Sequence, residues 1–439
     1  MHIRPFAWTA LVLSLLVAPV RAENDWPQWR GPKFNGSSDA KNLPDTLDAG
    51  KNLAWQAHLP GVGSASPVLI GDRVFVSAWD EQSKKMLGVC LSLKDGHQIW
   101  EREIGLGYLQ NDRNNPASPS PVTDGKLVFF YYATGDLAAF DVDGKQLWTR
   151  NIQKEHGPFN IQWIYASSPL LYKGKLYIQV IHRDVPPRGG RGAPRGKGAD
   201  SYLLAIDPAT GHDLWMQIRP SDAVQESKES YATPIPMEYQ GRSEIIVVGG
   251  DCVTAHDAQT GQEIWRAGGW NPEKIEHWRL VPSAVTDQKD GLVFACAPKK
   301  GPIMAIRDGG HGDVTATGFA WKSDGNELTS DVCVPLFYKD QLYVLDGDRR
   351  ALSCVDPKTG QKKWSGSLGG RAVFRASPTG ADDKIYCLNE GGDVWVLSAN
   401  EFKILSKTSF GGSQTRASIA VTNGLALLRI NDKLFAFKK

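Results

Sequence analysis

A short phrase recurs along this chain: a glycine, three further residues and a tryptophan, each time after an apolar, strand-like run. It pairs Gly96 with Trp100, Gly144 with Trp148, Gly211 with Trp215, Gly261 with Trp265 and Gly360 with Trp364. Three copies have the fuller form Asp-x-x-Thr-Gly-x-x-x-Trp, starting at Asp207, Asp257 and Asp356. A repeat confines a chain to architectures in which like units stack, because one unit alone cannot bury its apolar face. The Asp can hold turn amides, and the Gly supplies the positive φ of a tight hairpin. A Trp at one fixed place per unit can seal that unit against its neighbour.

The tryptophans give the number of units. Trp55, Trp100, Trp148, Trp215, Trp265, Trp321 and Trp364 are followed by a degenerate copy with Leu405, at steps of 41 to 67 residues. Each step is about one four-stranded propeller blade. A second marker leads into each innermost strand: Ala65-Ser66-Pro67, Ala117-Ser118-Pro119, Ser167-Ser168-Pro169, Ala232-Thr233-Pro234, Pro282-Ser283-Ala284, Val334-Pro335, Ala376-Ser377-Pro378 and Ala417-Ser418-Ile419. Both markers count eight. The chain ends without a final Trp-bearing strand, while Leu53-Ala54-Trp55-Gln56 is such a strand with no blade before it. The expectation is an all-β, eight-bladed propeller of four-stranded antiparallel blades over 52–439, its ring closed by the N-terminal strand, which removes a sheet edge.

With 45 Gly, 26 Pro and 10% aromatic residues, the composition suits a turn-rich β protein, and a formal charge of +2 argues against a nucleic-acid binder. Residues 1–22 read as a signal peptide: Arg4 supplies the charge, residues 6–17 form an apolar run, and Val20-Arg21-Ala22 places cleavage after Ala22. An uncleaved anchor is the other reading. No Cys follows the run, so a lipid-modified terminus is not indicated. An exported, periplasmic or extracellular monomer is expected, with no transmembrane segment in the mature chain. The six cysteines form no CxxC and read as buried small hydrophobes. The alternative is one or two disulfides, with Cys333 and Cys354 the first pair to consider.

Three segments depart from the repeat. Residues 23–51, with Trp26, Trp29 and Arg30, form an extension expected to pack on the propeller or cover one face. Residues 183–198 form an Arg/Gly-rich insert with four Arg and one Lys, a solvated loop or a contact for polyanions. The linkers between blades collect polar and aromatic groups at one mouth of the central channel. Arg113, Arg279, Arg375 and Arg416 would there form a cationic funnel suited to carboxylates, with Asn115, Gln162, Trp163, Trp278 and Asp331 completing a candidate ligand site.

The Asp-x-x-Thr-Gly-x-x-x-Trp phrase resembles the repeat of pyrroloquinoline quinone (PQQ)-type β-propellers over residues 52–439. Trp26-Pro27-Gln28-Trp29-Arg30-Gly31-Pro32 is similar to the start of secreted bacterial members. That family includes quinone-dependent alcohol and sugar dehydrogenases. It also includes non-catalytic propellers, among them the lipoprotein of the outer-membrane barrel assembly machinery. The resemblance implies one of two functions. The first is an exported, non-catalytic scaffold that binds a protein, a polysaccharide or another anionic ligand of the cell envelope through its loop face. The alternative is a PQQ- and Ca²⁺-dependent alcohol or aldose dehydrogenase. It needs a carboxylate base beside a cation held by hard oxygens; Asp112, Glu229, Glu327 and Asp331 stand near inner-strand starts, but no spacing among them specifies a metal site. The adjacent-cysteine ring of alcohol-oxidising relatives is missing. G-x-S-x-G, HExxH and Walker A patterns are also missing. The scaffold is therefore preferred, with no catalytic residue, metal or cofactor assigned.

Overall fold

Eight β-sheets stand around one axis in a computed structural model of the protein, which describes residues 25–108, 111, 113–184 and 200–439. The expected signal peptide and residues 185–198 of the insert lie outside the described residues. Blade 1 runs from the channel outward as Val68–Ile70, Arg73–Trp79, Lys85–Ser92 and Gln98–Leu106, each strand antiparallel to the last. Blades 2 to 7 repeat that order. Middle strands such as Leu127–Tyr131 and Tyr202–Ile206 are packed on both faces and read as continuous apolar runs. Outer strands such as Asp213–Ile218 meet solvent and alternate.

Blade 8 joins Ala420–Thr422, Leu425–Ile430 and Lys433–Lys438 to Leu53–His58, with Trp55 opposite Ala436 and His58 opposite Lys433. The N-terminal strand thus closes the ring. One blade departs from four strands: in blade 4, Gly312–Asp313 pairs parallel to Glu263–Ala267 as a fifth.

The tryptophans lie on the outermost strands and seal the blade boundaries. In the first seams each indole lies under the turn glycine of the next blade: Trp55 under Gly96, Trp100 under Gly144, Trp148 under Gly211. Gly144 has φ of +86°, and a Cβ there would come within 2.8 Å of the Trp100 ring, so the position needs glycine for both its backbone and its neighbour. The indole N–H then donates to the same turn: Trp55 to Leu93 O at 2.8 Å, Trp100 to Val142 O at 3.0 Å, Trp148 to Pro208 O at 2.9 Å and Trp321 to Pro357 O at 2.8 Å. An indole placed this way buries a large apolar area and satisfies its one donor.

The later seams vary the theme. Between blades 3 and 4 the Tyr177 hydroxyl takes the turn carbonyl, Ala258 O, at 2.8 Å. Between blades 6 and 7 Trp364 meets Phe402 at 5.9 Å, and Tyr343 donates to Ala399 O at 2.7 Å. At the last seam no turn is present, because the third and fourth strands of blade 8 come from opposite ends of the chain. The N-terminal extension fills that place: Tyr386 donates to Pro44 O at 2.8 Å, Ser406 to Asp45 O at 2.7 Å, and Leu43 and Leu47 are fully buried beside Tyr386. The indole's place is taken not by the expected Leu405 but by Ser406, which pairs with Val396 as Trp364 pairs with Cys354. Leu405 falls on the opposite face of the strand and is exposed, as Leu147 and Leu214 are before their tryptophans.

The six cysteines are buried and unpaired, and Cys333 and Cys354 form no disulfide. Burial pushes the Cys333 thiol up to about 12 and Cys354 up to about 11.

The seam between blades 4 and 5 holds a carboxyl pair. Trp265 Nε1–H donates to Asp308 Oδ1 at 2.8 Å and to Glu244 Oε2 at 3.2 Å, and Arg242 Nε lies 3.0 Å from Glu244 Oε1. Burial, then the Asp308 carboxylate, push Glu244 up to about 8 against the pull of Arg242. A carboxyl whose folded pKa exceeds its unfolded value binds its proton more tightly in the fold. Stability is therefore expected to fall as pH rises from about 4.5 through about 8. Glu244→Gln should flatten that dependence in denaturation midpoints measured across the range. Trp100→Ala should cost about 3–5 kcal/mol by chemical denaturation, whereas Leu405→Ala should stay within about 1 kcal/mol.

Candidate functional site

The inner strands begin on one face of the ring, and a belt of hydroxyls ties their starts together. The amide of Ser66 donates to Ser120 Oγ at 3.0 Å, Ser120 to Ser168 Oγ at 2.9 Å, Ser168 to Thr233 Oγ1 at 2.9 Å and Thr233 to Ser283 Oγ at 2.7 Å. The belt resumes with Val334 to Ser377 Oγ at 3.0 Å, Ser377 to Ser418 Oγ at 3.2 Å and Ser418 back to Ser66 Oγ at 2.9 Å. Its one break falls before Val334, which has no hydroxyl to accept. In blade 2 the belt residue is Ser120, not the Ser118 of Ala117-Ser118-Pro119. The tandem Ser118-Pro119-Ser120-Pro121 offers two registers, and Ser118 Oγ turns instead to Asn115 O at 2.8 Å.

The N-terminal extension crosses the channel just below this belt. Trp26 pairs with Leu69 of blade 1, Pro27 O accepts from Thr123 of blade 2, and Phe34 meets Tyr172 of blade 3 edge-on. Ser37 bridges to Gly380 of blade 7. Arg30 is buried and donates to Pro378 O at 2.9 Å, Pro335 O at 2.7 Å and Asn35 O at 3.0 Å, joining blades 6 and 7 directly beneath Ser377 and Val334. Among the described residues no carboxylate pairs with it, and burial lowers its pKa to about 9, so it stays charged at neutral pH and is held by carbonyl dipoles. Gly36 makes this possible: a Cβ there would stand 2.2 Å from the guanidinium. The channel is thereby closed at one end, leaving a cup of about 490 Å³ with Trp29 in its wall.

Six of the residues expected at the mouth line the cup: Arg113, Trp163, Arg279, Asp331, Arg375 and Arg416. Three do not. Asn115 accepts from the Ala117 amide at 3.0 Å. Gln162 faces Arg183, whose Nη2 donates to it at 2.8 Å. Trp278 packs on the apolar core of blades 4 and 5. The arginines are not a bare cationic funnel, because most hold carboxylates. Arg279 lies 3.3 Å from Asp331 and 3.7 Å from Glu226, Arg375 2.8 Å from Asp348, and Arg416 2.7 Å from Glu390. Arg113 lies over the Trp163 ring, 5.5 Å from its centroid, and Trp163 Nε1–H donates to Glu226 Oε1 at 2.9 Å. Burial alone would raise the Asp331 pKa, but Arg279 and the Lys299 amide together hold it below the usual carboxylate range.

Lining residues that escaped the sequence reading include Glu226, Tyr231, Lys299 and Glu390. Lys299 and Glu390 sit in turns between second and third strands. These open on the same face as the linkers, because an antiparallel blade returns to it twice. The insert starts from the equivalent turn of blade 3. Its first residues, Arg183 and Asp184, pair with Glu229 and Lys228.

Among the described residues the donor set does not fit a calcium-bound quinone. Asp112 lies outside the described residues. Glu229 is buried against Arg183 and the Tyr231 hydroxyl, and burial keeps its pKa raised despite them. Glu327 is exposed, 3.9 Å from Lys362, and Asp331 is held by Arg279. Among the described residues no three His, Cys, Asp or Glu side chains gather to hold a metal, whereas Ca²⁺ takes about 6–8 oxygens.

The fold and this cup define a PQQ-type propeller. The chain belongs to the family whose model is described as outer membrane protein assembly factor BamB, which matches residues 46–179 and 253–405. It is 23% identical over 280 residues to BamB of Burkholderia pseudomallei, covering 59% of this chain and 60% of that protein. It is 25% identical over 334 residues to the quinohemoprotein alcohol dehydrogenase ADH-IIG of Pseudomonas putida, covering 71% of this chain and 38% of that protein. It is 28% identical over 201 residues to the polyvinylalcohol dehydrogenase of Sphingopyxis sp., covering 44% and 28%. The chain thus spans less than two thirds of each of these relatives. Among solved structures, a europium-containing methanol dehydrogenase superposes with a TM-score of 0.68 at 11% identity, covering 95% of this chain and 98% of that one. BamB of Moraxella catarrhalis does so with 0.59 at 14%, covering 88% and 98%. These two likenesses show the fold. Among the described residues no helix is long and apolar enough to cross a membrane.

Arg30→Met would strand three buried carbonyls and loosen the closed end of the cup. It should cost about 3 kcal/mol by chemical denaturation, and limited proteolysis should then cut residues 25–40 first.

Proposed function

We propose that the protein is an exported, non-catalytic binding scaffold that takes a protein or anionic ligand of the cell envelope on the face where the cup opens. The observation that carries this reading is the cup itself. Its rim groups are fixed by one another, as arginine with carboxylate and indole with Glu226, rather than left as a base beside a cation. Groups held in this way are organised for recognition, and they meet a ligand without paying again for their own ordering. Five cationic side chains, Arg113, Arg279, Lys299, Arg375 and Arg416, share the lining with three carboxylates, Glu226, Asp331 and Glu390. The surplus charge favours an anion. Membership of a family described by an outer membrane assembly factor supports a scaffold in the envelope. The Arg/Gly-rich insert, which leaves from the same face, supports contact with an anionic partner.

The dehydrogenase relatives keep one alternative in view, and a titration decides it. Adding PQQ with Ca²⁺ to the purified chain is expected to give no bound-quinone absorbance and no dye-linked oxidation of alcohols or aldoses. Stoichiometric uptake with turnover would overturn the scaffold reading. Replacing Arg279 and Arg375 together by Ala is expected to weaken polyanion binding at least tenfold by calorimetry, about 1.4 kcal/mol. The circular-dichroism spectrum should stay that of the wild type. Unchanged binding would remove the mouth from consideration.

A further inference from the structure

The belt of hydroxyls does more than tie the blades. Ser120, Ser168, Thr233, Ser377 and Ser418 all line the cup, and each oxygen accepts one amide from the neighbouring blade. Among the described residues none of the five donates to a protein acceptor. Each hydroxyl therefore keeps its hydrogen for whatever enters the cup. Deep in the cavity the protein presents a ring of neutral donors, with the Trp29 indole in the same wall.

The rim adds charge of both signs. Arg416 uses only Nε on Glu390, and Arg375 uses only Nη2 on Asp348, so both guanidinium groups keep N–H donors. The Lys299 ammonium enters no hydrogen bond or close ion pair among the described residues, although its charge acts on Asp331. Carboxylate oxygens of Glu390 and Asp331 stand among them as acceptors. One face of Trp163 is covered by Arg113.

This mixture discriminates between ligand classes. A phosphate-rich ligand would meet three carboxylates. An apolar ligand would leave the hydroxyl ring unpaired, which is costly in a confined site. A through-going polymer is blocked by the extension. An acidic sugar satisfies every element: hydroxyls that both donate and accept, one carboxylate for a guanidinium fork, and C–H faces for an indole. The volume, about 490 Å³, lies in the range of about 300–1,000 Å³ typical of small-molecule sites.

Resting on the scaffold reading above, we infer that the cup is a binding site for the terminal uronic-acid sugars of an acidic polysaccharide, entered end-on from the open mouth. The carboxylate pairs with Arg375, Arg416 or Lys299 at the rim, and the sugar hydroxyls reach the serine ring below.

The full chain should be titrated calorimetrically with galacturonate oligomers, neutral galactose oligomers and glutamate oligomers. Galacturonate is expected to bind at least tenfold more tightly than the neutral sugar, with affinity levelling off once the cup is filled. Arg375→Gln, which leaves only the half-exposed Asp348 behind, and Trp163→Leu should each weaken galacturonate about tenfold, as loss of a charge-assisted contact or a stacking face would. Both variants should keep the wild-type circular-dichroism spectrum. Arg375→Lys should retain part of the affinity. Equal binding of neutral and acidic sugars, or variants that bind like the wild type, would overturn the inference. Binding of glutamate oligomers alone would overturn it and leave the scaffold standing. Binding of none of the three would overturn the inference and leave the scaffold with a protein partner only.

Discussion

Everything in this molecule depends on one contact, an indole laid against the turn of the next blade. A sheet buries only one pair of faces by itself, and a ring of sheets is stable only if each meets its neighbour with little void. The Trp ring fills that space, and its N–H satisfies a carbonyl the turn leaves over. Because the contact is made near the perimeter, it sets the angle between blades and so the width of the channel at the centre. The cup is a consequence of that spacing.

The blade count was legible because the seam forces specific residues. A turn that must bend sharply and also receive an aromatic ring admits glycine and little else, so the phrase survives wherever the geometry does. The exceptions have physical causes. Ser406, one residue beyond the expected Leu405, replaces a tryptophan where the closing blade has no turn, and the extension packs there instead. The blade 2 marker lies two residues beyond Ala117-Ser118-Pro119, because Ser118 and Ser120 both precede a proline and only the hydrogen-bonded belt tells them apart. The fifth strand of blade 4 is two residues long and gives no periodicity to read.

The site was half legible. Arginines stand out in linkers, and four of them reach the cup. Their partners Glu226 and Glu390 did not stand out, since a carboxylate in a turn is ordinary until the fold shows what lies across from it. Trp29 could be flagged as unusual, but that it would line the channel follows only from the crossing of the whole extension beneath the serine belt. Asn115, Gln162 and Trp278 lie near in sequence, yet local turns and packing direct them away from the cavity. Sequence proximity to a mouth is a weak guide, because side chains alternate in direction residue by residue.

The extension also governs how the fold can be completed. Arg30 finds its acceptor Pro378 across 348 positions, and Lys41 its acceptor Asn423 across 382. Leu53–His58 pairs with the last strand of all. A chain emerging from the ribosome must hold Arg30, Lys41 and Leu53–His58 without these partners until nearly the whole of blades 7 and 8 exists, and contacts of such long range are slow to form. Channel closure and ring closure then arrive together, as a single late event made by neighbouring residues. A nascent chain halted before blade 7 would therefore be open at its edge and also lack the partners that close its middle.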